Sequence, residues 1–221
     1  MQFYSDIVQH KSKFLVTGYS QTGEKIREEV KYKPYHFVPS TKPDAPYKTL
    51  EGRPLERLDF DDVWDAKEYV KKYKEVEGFE VYGSDKYLYS YIYDTFQGEI
   101  NFNLDWIRVV PLDIEVDSEG GFPNIDTADK EITAIGYYFR GTYHLHTCLD
   151  FDVNDPRLEG AKVKHYKASN EAELLDSFIQ KWEEIDPDII TGWYVAGFDM
   201  PYLFRRIRRV LGLTQAEKLS P

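Results

Sequence analysis

The chain has 221 residues, with 39 Asp and Glu against 28 Lys and Arg and a net charge of -11. That length supports one large domain or two of ordinary size. The single cysteine, Cys148, excludes an intrachain disulfide framework, and the lack of any apolar run of about 18 residues excludes a transmembrane helix. The acidic balance also argues against a surface that grips nucleic acid all over, since phosphate neutralisation needs clustered Lys and Arg; it leaves room for a local basic groove. An aromatic content of 16% is too rich for a disordered acidic chain. The start at Met1 lacks the basic, apolar and small-residue order of a secretory signal, so a reducing cytoplasm is the expected compartment.

Taken in chain order, the first hundred residues favour short strands with one helix. Lys13 to Tyr19 and Tyr35 to Pro39 are rich in β-branched and aromatic residues and bounded by turn formers, as strands are. Ser40 to Pro46 is a loop by its prolines and small polar residues. Asp61 is placed to cap a helix in which Val63, Ala66, Val70 and Tyr73 share a face, with Lys67, Lys71, Lys72 and Lys74 largely elsewhere. Tyr87 to Tyr93 alternates tyrosine with other residues, which predicts a strand with four tyrosines on one face. Such a face is either a half-buried sheet surface or a stacking platform for single-stranded nucleic acid.

Architecture changes near Asn101 to Trp106. Ile107 to Val116, Ile132 to Phe139 and Tyr143 to Leu149 read as three strands, the last two joined by a tight Arg140-Gly141 turn, and a meander is the simplest arrangement. Asn170 followed by Glu173 forms a capping box ahead of the apolar stripe Leu174, Leu175, Phe178, Ile179 and Trp182. A short buried strand, Asp188 to Gly192, follows Pro187, and a last helix starts at Phe198 or Asp199 and stops before Gly212. The predicted fold class is therefore α/β (α+β): a β-rich amino-terminal domain, residues 1–103, then residues 104–221 as a three-strand meander followed by α-β-α.

In the strand around Val110 to Asp117, the two-residue period sets Leu112, Ile114 and Val116 on one face and Asp113, Glu115 and Asp117 on the other. A row of carboxylates repels itself, and either water on an exposed face or bound cations relieve it. A fourth carboxylate, Asp199, stands in the first turn of the last helix, directly after a strand and a glycine-containing loop. There a carboxylate can be a simple cap. The strand before it pairs next to the meander in this reading, which brings Asp199 opposite Asp113 and Glu115. Carboxylates converging from separate elements are what two-metal phosphodiester chemistry requires.

Ile107 to Val116 with its Asp113-Ile114-Glu115, Gly120 to Pro123, Ile190 to Trp193 and Phe198 to Tyr202 together resemble the amino-terminal and proofreading regions of family B DNA polymerases of T-even-like bacteriophages. Val30 to Pro34 and Leu88 to Ser90 extend the resemblance over the first hundred residues. It implies a partial RNase H-like 3′→5′ exonuclease domain in which Asp113, Glu115 and Asp199 are the catalytic, metal-binding carboxylates, served by Mg²⁺ or Mn²⁺. It implies DNA as partner, through a single-stranded primer 3′ end, with Phe122 near the frayed end. Two departures accompany it. Tyr194 stands where the family usually has Asn, and the family's third motif, Tyr-x-x-x-Asp, does not occur in this chain. The resemblance therefore implies a truncated chain or the amino-terminal piece of a split polymerase, feeble as a nuclease until a carboxy-terminal polymerase portion, in cis or as a separate chain, completes the site. A sliding clamp would engage through that portion.

Arg205, Arg206, Arg208 and Arg209 cluster on the last helix away from Leu203, Ile207, Val210 and Leu211, as a solvated face, a docking surface or phosphate contacts. Arg205, Arg206, Tyr194 and Phe122 make up the candidate nucleic-acid contacts. Cys148 reads as a core residue, and His144 with His146 makes a poor zinc site. A second function class stays open at this point: a module binding single-stranded DNA or RNA through the tyrosine face, with a vestigial acidic site. No membrane partner is expected.

Overall fold

The computed structural model describes residues 1–220. By its internal contacts the chain divides into two units, one spanning Met1–Trp106 and one beginning at Ile107. In the first, strands β1 (Phe3–His10), β2 (Lys13–Tyr19) and β3 (Lys25–Val30) form an antiparallel sheet in that order. Strands β4 (Tyr35–Pro39), β5 (Tyr47–Lys48) and β6 (Pro54–Asp59) form a second sheet, in which β6 lies between the other two. Helix α1 (Val63–Tyr73) is capped by Asp62, one residue beyond the expected Asp61, whose carboxylate accepts from the Trp64 and Asp65 amides at 2.8 and 3.1 Å. Val63 and Ala66 are buried in the core of this unit with Ile7, Phe14, Val16 and Tyr32.

The expected tyrosine strand does not form: Tyr87–Thr95 is helix α2. Tyr87 and Tyr91, one turn apart, are buried, while Tyr89 and Tyr93 are 65% and 69% exposed on the other side. A run that is apolar at nearly every position satisfies both the strand and the helix period. Core packing decides, because Leu88 and Ile92 join Tyr87 and Tyr91 in one helical stripe, with the Tyr91 ring 5.2 Å from Phe14 and 5.6 Å from Tyr32. The four rings point to two faces, and the stacking platform on which the second function class rested is lost.

In the second unit, β7 (Val109–Val116), β8 (Ile132–Phe139) and β9 (Thr142–Thr147) form the expected antiparallel meander. An unexpected strand, β10 (Val163–Lys167), pairs parallel to β9. Its sequence, Val-Lys-His-Tyr-Lys, carries one β-branched residue, and tertiary contacts hold it, among them Tyr166 stacked on His146 at 4.4 Å. Then come α3 (Glu171–Ile185), β11 (Ile189–Thr191), α4 (Asp199–Leu211) and the short α5 (Leu213–Glu217). Strand β11 runs parallel to β7, and the sheet order is β10-β9-β8-β7-β11.

The Asn170 capping box is present: its side chain accepts from the Glu173 amide at 3.0 Å, and the Glu173 carboxylate reaches back to the Ser169 amide at 2.8 Å. Leu174, Leu175, Phe178, Ile179 and Trp182 of α3, with Tyr202, Leu203 and Ile207 of α4, bury against Val110, Leu112, Ile114 and Ile135 of the sheet. One sheet face is thus covered by helices, and the alternation of β7 turns Asp113 and Glu115 to the other, where both are exposed. No helix among the described residues is long and apolar enough to cross a membrane.

Candidate active site

The site is built where β11 runs out. Strand β11 pairs with β7 only from Val109 to Pro111, so the main chain of β7 beyond that point has no strand on this side. Gly192, the next residue, presses so closely on the Leu112 carbonyl that any Cβ would collide with it. The chain then turns away and re-enters at α4, whose first residue, Asp199, is only 3% exposed. Its carboxylate takes the place of the missing strand by accepting the Ile114 amide hydrogen at 3.2 Å. Ile114 follows Asp113 and precedes Glu115 on β7, so Asp199 is brought to the main chain of the strand that carries the other two sequence-predicted carboxylates, and the charge of Asp113 reaches it.

Electrostatics follow from that placement. Burial pushes the Asp199 carboxyl above its ordinary range, the amides of Ile114 and of Asp199 itself pull it back, and the charge of Asp113 pushes it up again. Asp117 leaves the row: a register shift between Glu115 and Val116 breaks the alternation, and its side chain accepts from the Glu119 amide at 2.9 Å instead. Among the described residues no three His, Cys, Asp or Glu side chains converge to hold a metal ion. The donor set still suits one in kind. Asp113 and Asp199 are hard oxygen donors close enough for one charge to raise the other, and Mg²⁺ binds through one or two carboxylates with water and substrate phosphate completing its shell.

On the exposed face, register sets Asp113 opposite Gly136, which faces Leu145, which faces His165. A groove of about 870 Å³ follows this row from Asp113 through Gly136 to Leu145, bordered by Tyr138, Tyr143, Phe151 and Trp193. Trp193 is 93% exposed beside the acidic site and did not emerge from the sequence as a site residue; its signal was its place in the loop between a strand end and a helix-start acid. Phe122 is 85% exposed, with its ring 5.6 Å from Phe198, which stacks in turn on the buried Tyr202. Tyr194 is 72% exposed and has a left-handed backbone, φ 60°.

The arginines divide. Arg205 is partly exposed and pairs with Asp126 at 3.4 Å. Arg206 is buried, a correction to its expected place among the nucleic-acid contacts: its guanidinium forks onto Glu171 at 2.6 and 2.8 Å and donates to the carbonyls of Ala128 and Asp129. Buried and with four of its five N–H donors engaged, the guanidinium presents no open face to a phosphate. Arg209 donates to the Thr127 carbonyl at 3.2 Å, so the two residues together hold the 127–129 segment against α4.

A mixed sheet of three antiparallel strands with a parallel strand beside the carboxylate strand, covered on one face by helices, defines an α/β domain. Comparison with known proteins makes it specific. The profile described as DNA polymerase family B, exonuclease domain, matches residues 74–219. The DNA-directed DNA polymerases of Escherichia phage RB69 and Enterobacteria phage T4 are 30% and 28% identical over the whole of this chain, which spans 27% of each. The DNA polymerase catalytic subunit of Alcelaphine herpesvirus 1 is 29% identical over 55% of the chain and 12% of the relative. The chain belongs to DNA polymerase family B, through its exonuclease domain.

Proposed function

We propose that this chain is the amino-terminal and proofreading portion of a replicative family B DNA polymerase, and that Asp113, Glu115 and Asp199 carry 3′→5′ hydrolysis of a single-stranded DNA end. The observation that carries the reading is the seating of Asp199 on the Ile114 amide, within reach of the Asp113 charge. Asp113 and Asp199 would hold Mg²⁺ or Mn²⁺, with Glu115 beside them. When bound, the ion supplies an activated water and charge stabilisation at the leaving oxygen. The protein's own residues do the rest. Asp199 keeps its carboxylate fixed by the backbone, the exposed Phe122 offers a ring to an unpaired base, and Arg205 offers charge to the phosphates. The relatives' greater length supports a carboxy-terminal polymerase portion as partner, supplying polymerisation and further site residues, in the host cytoplasm.

Calorimetric titration with Mn²⁺, run beside release of nucleotides from 5′-labelled single-stranded DNA, tests this. The chain is expected to bind Mn²⁺ and to hydrolyse slowly, with both lost in Asp113→Ala combined with Glu115→Ala. Hydrolysis that survives the double substitution would overturn the assignment.

A further inference from the structure

The loop that delivers Asp199 carries a residue at odds with its backbone. Tyr194, at φ 60°, occupies the left-handed region that Gly and Asn enter easily and a tyrosine does not. Something must hold it there. Its carbonyl accepts from the amides of both Gly197 and Phe198 at 2.9 Å, closing the turn directly ahead of α4. Its ring lies over Gly197, so that a Cβ built on Gly197 would fall inside the ring's carbon atoms. Gly197 has no positive φ to explain it; the bare Cα serves the ring. Among the described residues the Tyr194 hydroxyl has no hydrogen-bond partner, so the packing is made by the ring alone.

We propose that Tyr194 is a positioning residue for Asp199: its ring, seated on the bare Cα of Gly197, locks the left-handed turn after β11 and so holds the Asp199 carboxylate on the Ile114 amide. This rests on the proposed role of Asp199 in metal binding, but the lock itself is a matter of geometry and is measured separately. It also accounts for the departure at this position. Where the family's usual Asn would enter a left-handed turn at little cost, this chain obtains the same turn from a ring and a glycine acting together.

The test reads hydrogen exchange of the Ile114 amide by NMR in the 221-residue chain, with the amides of Phe178 and Ile179 in α3 as internal controls for folding, and Mn²⁺ affinity in parallel. Gly197→Ala is expected to expel the ring and lower Ile114 protection at least tenfold with the α3 controls unchanged. Tyr194→Gly, although better suited to the backbone, is expected to lower it similarly, and Tyr194→Phe to leave it as it is. The Tyr194→Gly, Gly197→Ala pair should be no worse than Tyr194→Gly alone, since the collision needs the ring. Retained protection in Tyr194→Gly, loss in Tyr194→Phe, or additive losses in the pair would each overturn the lock. Mn²⁺ affinity should fall with protection across the series. If protection behaves as expected but the unsubstituted chain binds no Mn²⁺, the metal role of Asp199 fails and the lock stands; if Mn²⁺ binds and all variants keep Ile114 protected, the lock fails and the metal role stands.

Discussion

Arg206 shows what a single side chain can conceal. Its place in the sequence among three other arginines suggested solvent, yet Asp199, Tyr202, Leu203, Arg206 and Ile207 form the buried stripe of α4 at helical spacing. The helical period predicts this stripe even though the charge of position 206 points the other way. Because the Arg206–Glu171 pair is desolvated, Arg206→Ala leaves the Glu171 carboxylate with only the Ile132 amide to answer its charge and takes the guanidinium from two carbonyls, and urea unfolding should show a loss of about 3–5 kcal/mol. Asp199 makes the opposite case. Its folded-state pKa is raised, so the stability it contributes is present below the ordinary carboxylate range and is lost as pH rises through the folded value. Asp199→Asn keeps an acceptor for the Ile114 amide and sheds the buried charge. In chelated buffer its melting temperature should exceed that of the unsubstituted chain by a margin that widens from acid to neutral pH, while Mn²⁺ binding is lost.

At the level of elements, legibility followed how many signals agreed. Helix α3 announced itself through cap, capping-box glutamate and stripe together. The carboxylate strand was equally plain, since Asp113 and Glu115 alternate with Leu112 and Ile114 that must be buried. Helix α2 and strand β10 were not legible, the first because tyrosine at every other position fits two periods, the second because its lysines hide a ladder made by its neighbour. The division of the tyrosines is directly measurable: Tyr91→Ala should cost about 3–5 kcal/mol, as truncation of a buried aromatic does, and Tyr89→Ala should stay within about 0.5 kcal/mol. Strand β9 brings a pH dependence of its own. His146 is buried among Tyr137, Tyr166 and Phe178, and burial pushes its pKa down to about 3. A depressed histidine stabilises above its unfolded value and withdraws that stability as pH falls toward the folded one. Between pH 6.5 and 3 the unfolding free energy from urea titration should therefore decline, by about 1.4 kcal/mol per pH unit from this group, and His146→Phe should remove that part of the slope.

For the whole molecule, two separate cores in two units indicate that the unit beginning at Ile107 has the means to fold by itself; residues 107–221 produced alone should melt cooperatively by circular dichroism. Within that unit, order is unevenly distributed. The acid of α4 is suspended from β11, which has three residues, pairs with one neighbour and lies at the border of the sheet. Short border strands fray first, in openings far less costly than complete unfolding. The proposed metal site is thus tied to a short border rung of a durable frame. If that site holds Mn²⁺ as proposed, the chain should release the ion several degrees before its circular dichroism changes on heating, so a warmed sample would pass through a stage that is folded by every bulk measure and already empty of metal.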